Sequence, residues 1–479
     1  NAVVSVFIRY NYDKKTNPSL SKETIIQYNK QRNKGPKKTI CFAPFKHMYF
    51  KSDGTITPCC RNEKDMYGTI GKGTLTELFN SKSIESVRNK IEDYNLCDGC
   101  NYCNIQLQSS NFNAFEGRLY DSILPGKAGK FPTEMTFEIS NQCNLECIMC
   151  DGNYSSSIRK NREKLPDLEN KYDDAFSETI KEGIPYLKVA RFLGGEPFLI
   201  PQYIDIIDNI IKENKNCRIY IQTNGTILNN RVKKIIEHKN VHLSISIDSL
   251  QKEMYEKIRK NASFTRLMEH MNYFIERSKK HKQIININYC VMTNNWMEVP
   301  EMIHFCNINN FSLSLIPVEF PRYLSLRSLN VNKLNETVSH YSKPEYNNLF
   351  SSNKYNGDKL KNIISYIRFC IENNNKQNQR ISYLQSIEID LLEGILNEHF
   401  LKIKLKENEI ATINEHIKKA AANLNDDKKK SLYITFINDL EQHSNETPIY
   451  HFKNTIEWQT LFKAYLENLL FCNDKSVYL

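Results

Sequence analysis

The chain has 479 residues, 40% apolar and 25% charged, which is ordinary for a soluble globular protein and long enough for two or three domains with buried cores. No apolar run approaches the length of a membrane span. The formal net charge of +10 raises nucleic-acid binding, but the basic residues are dispersed and the run Lys428-Lys429-Lys430 directly follows Asp426-Asp427, so the charge describes a mildly basic soluble protein.

Residues 1–40 read as an N-terminal extension. Its apolar stretch Val3-Val4-Ser5-Val6-Phe7-Ile8 is too short and too poorly flanked for a secretory signal. Residues 41–110 form a module of their own, carrying Cys41, Cys59, Cys60, Cys97, Cys100 and Cys103. Within it Ser52-Asp53-Gly54-Thr55 predicts a tight hairpin, the glycine permitting a turn that brings Cys41 and Cys59 to one metal centre. The stretch Leu124-Pro125-Gly126-Lys127-Ala128-Gly129 marks a boundary.

From residue 132 onward short apolar strands alternate with amphipathic helices. Strands are predicted at 136–140, 187–193, 218–224, 242–248, 287–293 and 312–318. Tyr203, Ile207, Ile210 and Ile211 follow Pro201 at helical spacing, as do Phe264, Leu267, Met268, Met271 and Phe274. Strands and helices in alternation imply a parallel α/β sheet, either doubly wound or a partial (βα) barrel, with the active site at the C-terminal ends of the strands. The region 321–479 loses the alternation and reads as helical, with helices expected at 387–400 and 456–470 and a polar connector at 373–379.

Of the 14 cysteines, nine precede residue 151. Cys217, Cys290, Cys306, Cys370 and Cys472 stand alone, most of them inside apolar stretches where a free thiol packs as a small hydrophobe. A disulfide framework belongs to a much smaller secreted chain, so the clustered cysteines read as metal ligands in a reducing cytosol. Cys143, Cys147 and Cys150 follow the first strand as Cys-x3-Cys-x2-Cys, a spacing that leaves a cubane iron–sulfur cluster one protein ligand short. A zinc site would want a fourth cysteine or histidine nearby, and none follows Cys150 closely. The histidines show no ligand spacing.

The Cys143–Cys150 loop resembles that of the radical S-adenosylmethionine (SAM) enzymes, and further motifs follow in that family's order. Gly194-Gly195-Glu196-Pro197 resembles its GGEP element, Thr223-Asn224-Gly225 a common strand end, and Ser246 and Asp248 sit on one face of the fourth strand. Met149 stands where the family often has an aromatic residue near adenine.

The resemblance implies a partial (βα)6 barrel over about 132–320 and a [4Fe–4S] cluster whose open iron is chelated by SAM. Reduction would then cleave SAM to a 5′-deoxyadenosyl radical that takes a hydrogen atom from substrate. It also implies that the glycines let the backbone approach SAM, that Glu196 and the backbone receive its ammonium, and that Arg259 pairs with its carboxylate. Asn224, Ser246 and Asp248 would border SAM.

The 41–110 module is similar to the SPASM/twitch auxiliary-cluster domain. That resemblance implies a second [4Fe–4S] cluster held by Cys41, Cys59, Cys97 and Cys100, with Cys60 and Cys103 spare. Because Cys100-x2-Cys103 repeats the spacing of Cys97-x2-Cys100, the ligating pair could shift by three. A zinc ribbon made from Cys59, Cys60, Cys97 and Cys100 is the competing reading. In better-known members the auxiliary domain follows the barrel, whereas here it precedes it, an order that still allows it to fold over the barrel mouth. The implied enzyme is cytoplasmic and takes electrons from a donor such as flavodoxin or ferredoxin. It acts on a peptide side chain or a carbohydrate-like metabolite, with no membrane and no nucleic acid involved. The alternative from another class is a non-catalytic iron–sulfur or zinc protein that binds nucleic acid.

Overall fold

A computed structural model describes residues 20–442, apart from 33–35, 38, 63, 97, 109–111, 113–114, 123–129, 174, 347–353, 387, 403–406 and 423. Cys97, Cys472, the boundary at 124–129 and the helix expected at 456–470 lie outside the described residues.

Among the described residues nine strands form one sheet in the order β3-β2-β1-β4-β5-β6-β7-β8-β9, with β3 the short strand Gly68–Thr69. Six of them are the barrel strands: β4 (Glu134–Glu138), β5 (Val189–Phe192), β6 (Arg218–Thr223), β7 (Val241–Ser246), β8 (Asn286–Val291) and β9 (Ser312–Pro317). All five pairings among them are parallel. Each strand begins within two residues of its predicted position, because alternation with period two is a local signal.

One face of these strands is apolar and buried, including Phe137, Phe192, Ile221, Leu243, Ile245, Ile287 and Leu313. Helices cover it. The helix Pro201–Glu213 contributes Tyr203, Ile206, Ile207 and Ile210, and the helix Phe264–His281 contributes Leu267, Met271 and Phe274. The Ser263 hydroxyl accepts from the Arg266 amide at 3.4 Å and caps the second of these helices. The opposite face is polar across the register: Ser244 lies beside Asn286 and Asn286 beside Ser312, with Asn288 beside Ser314 in the next row. Asn286 binds this patch together, its amide donating to Ser244 and Asn288 while its oxygen accepts from Ser312 and Ser314, all at 2.8–3.2 Å. A closed barrel of this type fills its interior with Val, Ile and Leu. Here small polar side chains stand in that place.

The N-terminal module joins the sheet. Its strands β1 (His47–Lys51) and β2 (Thr55–Thr57) form the predicted hairpin, with Gly54 at φ +85° in the turn. Strand β1 then pairs in parallel with β4 along its whole length, from His47 opposite Glu134 to Lys51 opposite Glu138. The seam is polar and closed. Lys46 and Arg191 hold Glu134 at 2.6 and 2.9 Å, with the Lys46 and Glu134 side chains essentially fully buried. His47 bridges the Pro58 carbonyl (2.7 Å) and the Thr136 hydroxyl (2.8 Å), and burial pushes its pKa down to about 4, so the ring is neutral at pH 7. The Tyr49 hydroxyl donates to Glu138.

Beyond β9 the described chain is helical. The 373–379 run, expected as a connector, lies inside one long helix, Lys354–Gln385. Residues 358–385 contain no Gly or Pro, and Leu360, Ile363, Ile367 and Cys370 pack into the core. Asparagine, lysine and glutamine do not break a helix that tertiary packing already holds. No helix among the described residues is long and apolar enough to cross a membrane.

Candidate iron–sulfur and SAM site

The cysteine loop leaves the C-terminal end of β4 and is fastened by the serine run Ser155-Ser156-Ser157. Ser155 donates to the Leu145 carbonyl (2.7 Å) and Ser157 to the Cys143 carbonyl (2.8 Å), while the Cys143 amide donates to Ser156 (3.2 Å). Asn141 donates to the Gly152 carbonyl at 2.8 Å, closing the loop at its base. Cys143, Cys147 and Cys150 lie within electrostatic reach of one another. Burial raises all three thiols, Cys143 to about 11, while the neighbouring Arg259 pulls Cys147 back down.

The other motifs converge on this loop from the ends of β5, β6 and β7. The Glu196 amide donates to the Gln142 carbonyl at 2.8 Å. Gly194 (φ +77°) and Gly195 (φ +47°) are required by contact with the loop itself. A Cβ on Gly194 would meet Glu138 Cγ at 2.7 Å, and one on Gly195 the Gln142 carbonyl oxygen at 2.3 Å. The close approach of the cysteine loop by itself demands glycine at both positions.

The Glu196 carboxylate is wholly buried and accepts from the Thr223 hydroxyl (2.7 Å), the Asn224 amide (2.7 Å) and the Phe198 amide (3.2 Å), so it ties β5 to β6. Asn224 reaches back to the loop, its Nδ2 donating to Asn144 Oδ1 at 3.0 Å. Ser246 is buried at the end of β7, and Met149 packs with Ile148, Cys290, Ile258 and Met292 in a small apolar cluster. Arg259 is buried and ion-paired to Asp248 at 2.7 Å.

Burial raises the Glu196 carboxyl from 4.5 to about 7. The folded state therefore binds this proton more tightly than the unfolded chain, and the group's contribution to stability falls as pH rises from about 4.5 through about 7. Urea unfolding at pH 5 and pH 8 should show wild type losing on the order of 3 kcal/mol over this interval relative to Glu196→Gln. Equal pH responses of the two proteins would refute the assignment.

In the N-terminal module Cys41, Cys59 and Cys103 lie within electrostatic reach of one another, and Cys60 adjoins Cys59. Burial pushes the Cys59 thiol up to about 12 and raises Cys103 well above its ordinary value. Cys103, expected as spare, is buried and shares the electrostatic surroundings of Cys41 and Cys59. Cys100 lies one helical turn earlier, where the helix Asn101–Gln108 begins, its sulfur 4.0 Å from the Asn62 amide nitrogen. The repeated x2 spacing was the available signal for Cys103, but it could not say which cysteine turns inward.

Among the described residues no three His, Cys, Asp or Glu side chains converge closely enough to hold a single metal ion. The donor sets are thiols, with no imidazole among them, which suits iron–sulfur ligation.

Residues 137–306 match the family model of the Radical SAM superfamily, and residues 41–104 match that of SPASM, an iron–sulfur cluster-binding domain. The chain carries a radical SAM domain preceded by a SPASM domain. It is 28% identical over 182 residues to the probable GTP 3′,8-cyclase of Methanocaldococcus jannaschii, covering 38% of this chain and 57% of that protein. It is 28% identical over 212 residues to the cysteine-type anaerobic sulfatase-maturating enzyme of Clostridium novyi, covering 40% and 53%. The chain thus spans little more than half the length of these curated relatives. Among solved structures, Streptococcus suis SuiB bound to precursor peptide SuiA is 15% identical with a TM-score of 0.33, covering 51% of this chain and 59% of that one.

Proposed function

We propose that the chain is an enzyme that cleaves SAM reductively and abstracts a hydrogen atom from a peptide side chain or a carbohydrate-like metabolite. The observation that carries this reading is the convergence of Gly194–Pro197, Thr223–Gly225 and Asp248–Arg259 on the Cys143–Cys150 loop at one end of the parallel sheet. When bound, a [4Fe–4S] cluster with SAM on its open iron supplies a 5′-deoxyadenosyl radical. Cys143, Cys147 and Cys150 would hold that cluster. The turn Gly194–Pro197 would offer its backbone to SAM, with Ser246 and Met149 beside it, while Glu196 and Asn224 brace the turn against the loop. Substrate would lie on the polar face of the sheet, where Ser244, Asn286, Asn288, Ser312 and Ser314 favour a hydrogen-bonding molecule. The names of the relatives, a GTP cyclase and a sulfatase-maturating enzyme, point to different substrates and do not choose between the two classes. A flavodoxin or ferredoxin would supply the electron, in a cytoplasmic setting that keeps the thiols reduced.

In the module, Cys41, Cys59 and Cys103 would hold an auxiliary [4Fe–4S] cluster, with Cys100 or Cys97 completing the set. Anaerobic reconstitution should give about eight iron and eight sulfide per chain, and dithionite with SAM should yield 5′-deoxyadenosine. Cys103→Ala should fall to about four iron while still cleaving SAM. Retention of all eight by that variant would return the ligand role to Cys97 and Cys100. A wild-type protein that makes no 5′-deoxyadenosine would refute the catalytic reading and leave an iron–sulfur protein without this activity.

A further inference from the structure

The cysteine loop is laced to the segment that follows the helix Lys252–Ile258. The Ile148 amide donates to the Ile258 carbonyl (2.9 Å) and the Glu146 amide to the Lys260 carbonyl (3.0 Å), which sets Cys147 opposite Arg259. Glu146 reinforces this ladder with its side chain. Its Oε1 accepts from Asn161 (2.9 Å) and Asn261 (3.0 Å), and Lys260 stands 3.5 Å from its Oε2.

Across the ladder Arg259 Nη1 approaches Cys147 Sγ at 3.8 Å, while Nη2 meets Asp248 Oδ2 at 2.7 Å. The Asp248 side chain is wholly buried and that of Arg259 nearly so. Asp248 is itself fixed, its Oδ1 accepting from the Cys290 amide (2.7 Å) and its carbonyl from Asn295 Nδ2 (2.9 Å). A guanidinium that receives a ligand's carboxylate presents its fork to that ligand. In this chain one arm of the fork is held by Asp248, the other is directed at a cysteine sulfur, and among the described residues the buried Nε has no hydrogen-bond partner.

We propose that Arg259, held by Asp248, is a positioning residue for the cluster on Cys143, Cys147 and Cys150, acting through the Cys147 sulfur and not through the carboxylate of SAM. The inference rests on the cluster reading above. A cation with an N–H directed at a ligating sulfur favours the reduced cluster, which carries one more electron, and so raises its reduction potential.

The test uses the reconstituted holoprotein and two readouts: a potentiometric EPR titration of the cluster signal that changes when SAM is added, and the SAM dissociation constant measured by ultrafiltration. Arg259→Gln should make one-electron reduction about tenfold less favourable, a shift of about 59 mV to lower potential, with SAM affinity within twofold of wild type. Arg259→Lys should recover part of that shift. Asp248→Asn, which leaves the arginine charge uncompensated, should move the potential upward, and it reads the same split if Arg259→Gln fails to take up iron. A SAM affinity at least tenfold weaker with an unmoved potential would overturn the proposal and restore Arg259 to the SAM carboxylate. A wild-type protein with no SAM-responsive signal would overturn the cluster reading and this inference with it.

Discussion

Cys147→Ala is expected to lose about four of eight irons and to make no 5′-deoxyadenosine, while the auxiliary cluster and the fold persist. Cys147 is the most buried of the three loop cysteines, and its sulfur faces Arg259. The loop holds three cysteines and no fourth, and the thiol of Cys290, nearby on β8, is hydrogen-bonded to Asp248. The loop itself should survive, because Ser155, Ser156, Ser157 and Asn141 hold it through backbone groups that the substitution does not touch. Iron and sulfide analysis with chromatographic detection of 5′-deoxyadenosine checks the expectation. Full iron content together with activity would mean that the cluster is held elsewhere.

Glu134→Ala is expected to destabilise the fold by about 3–5 kcal/mol, the cost of leaving a buried charge without its partner. Glu134 sits where the N-terminal module meets the barrel, and its removal strands the Lys46 ammonium in a fully buried position. Burial already lowers the Lys46 pKa against the opposing pull of Glu134, so the lysine without its partner must deprotonate or drag water into the seam. Urea denaturation of the apo-protein measures the loss. The double variant Lys46→Met with Glu134→Leu should recover most of it, since replacing both charges by apolar groups removes the desolvation cost. A single-variant loss below about 1 kcal/mol would show that the seam is open to solvent.

The six barrel strands and the Cys143–Cys150 loop were legible because both signals are local. Strand alternation repeats every two residues, and three thiols within eight residues must share one loop. The order of motifs likewise placed Gly194–Pro197, Asn224 and Asp248 at successive strand ends, which parallel pairing brings to one side of the sheet. The 373–379 run was misread for a local reason too: polarity resembles a connector, while the packing that keeps the helix comes from Leu360, Ile363 and Ile367 on the same helix.

What the sequence by itself determined is the chemistry on offer: a three-thiol loop, a parallel sheet to carry it and a second group of cysteines ahead of it. Tertiary structure alone decided how those groups face one another. It joined β1 to β4, buried Cys103, set the Glu196 carboxylate against Thr223 and Asn224, and closed Arg259 onto Asp248 and Cys147. Apart from the burial of Cys103 and the pairing of Arg259 with Asp248, these bring together groups well separated in the chain. Register and burial, which exist only once the sheet has formed, select such a contact among several partners that composition and spacing leave equivalent.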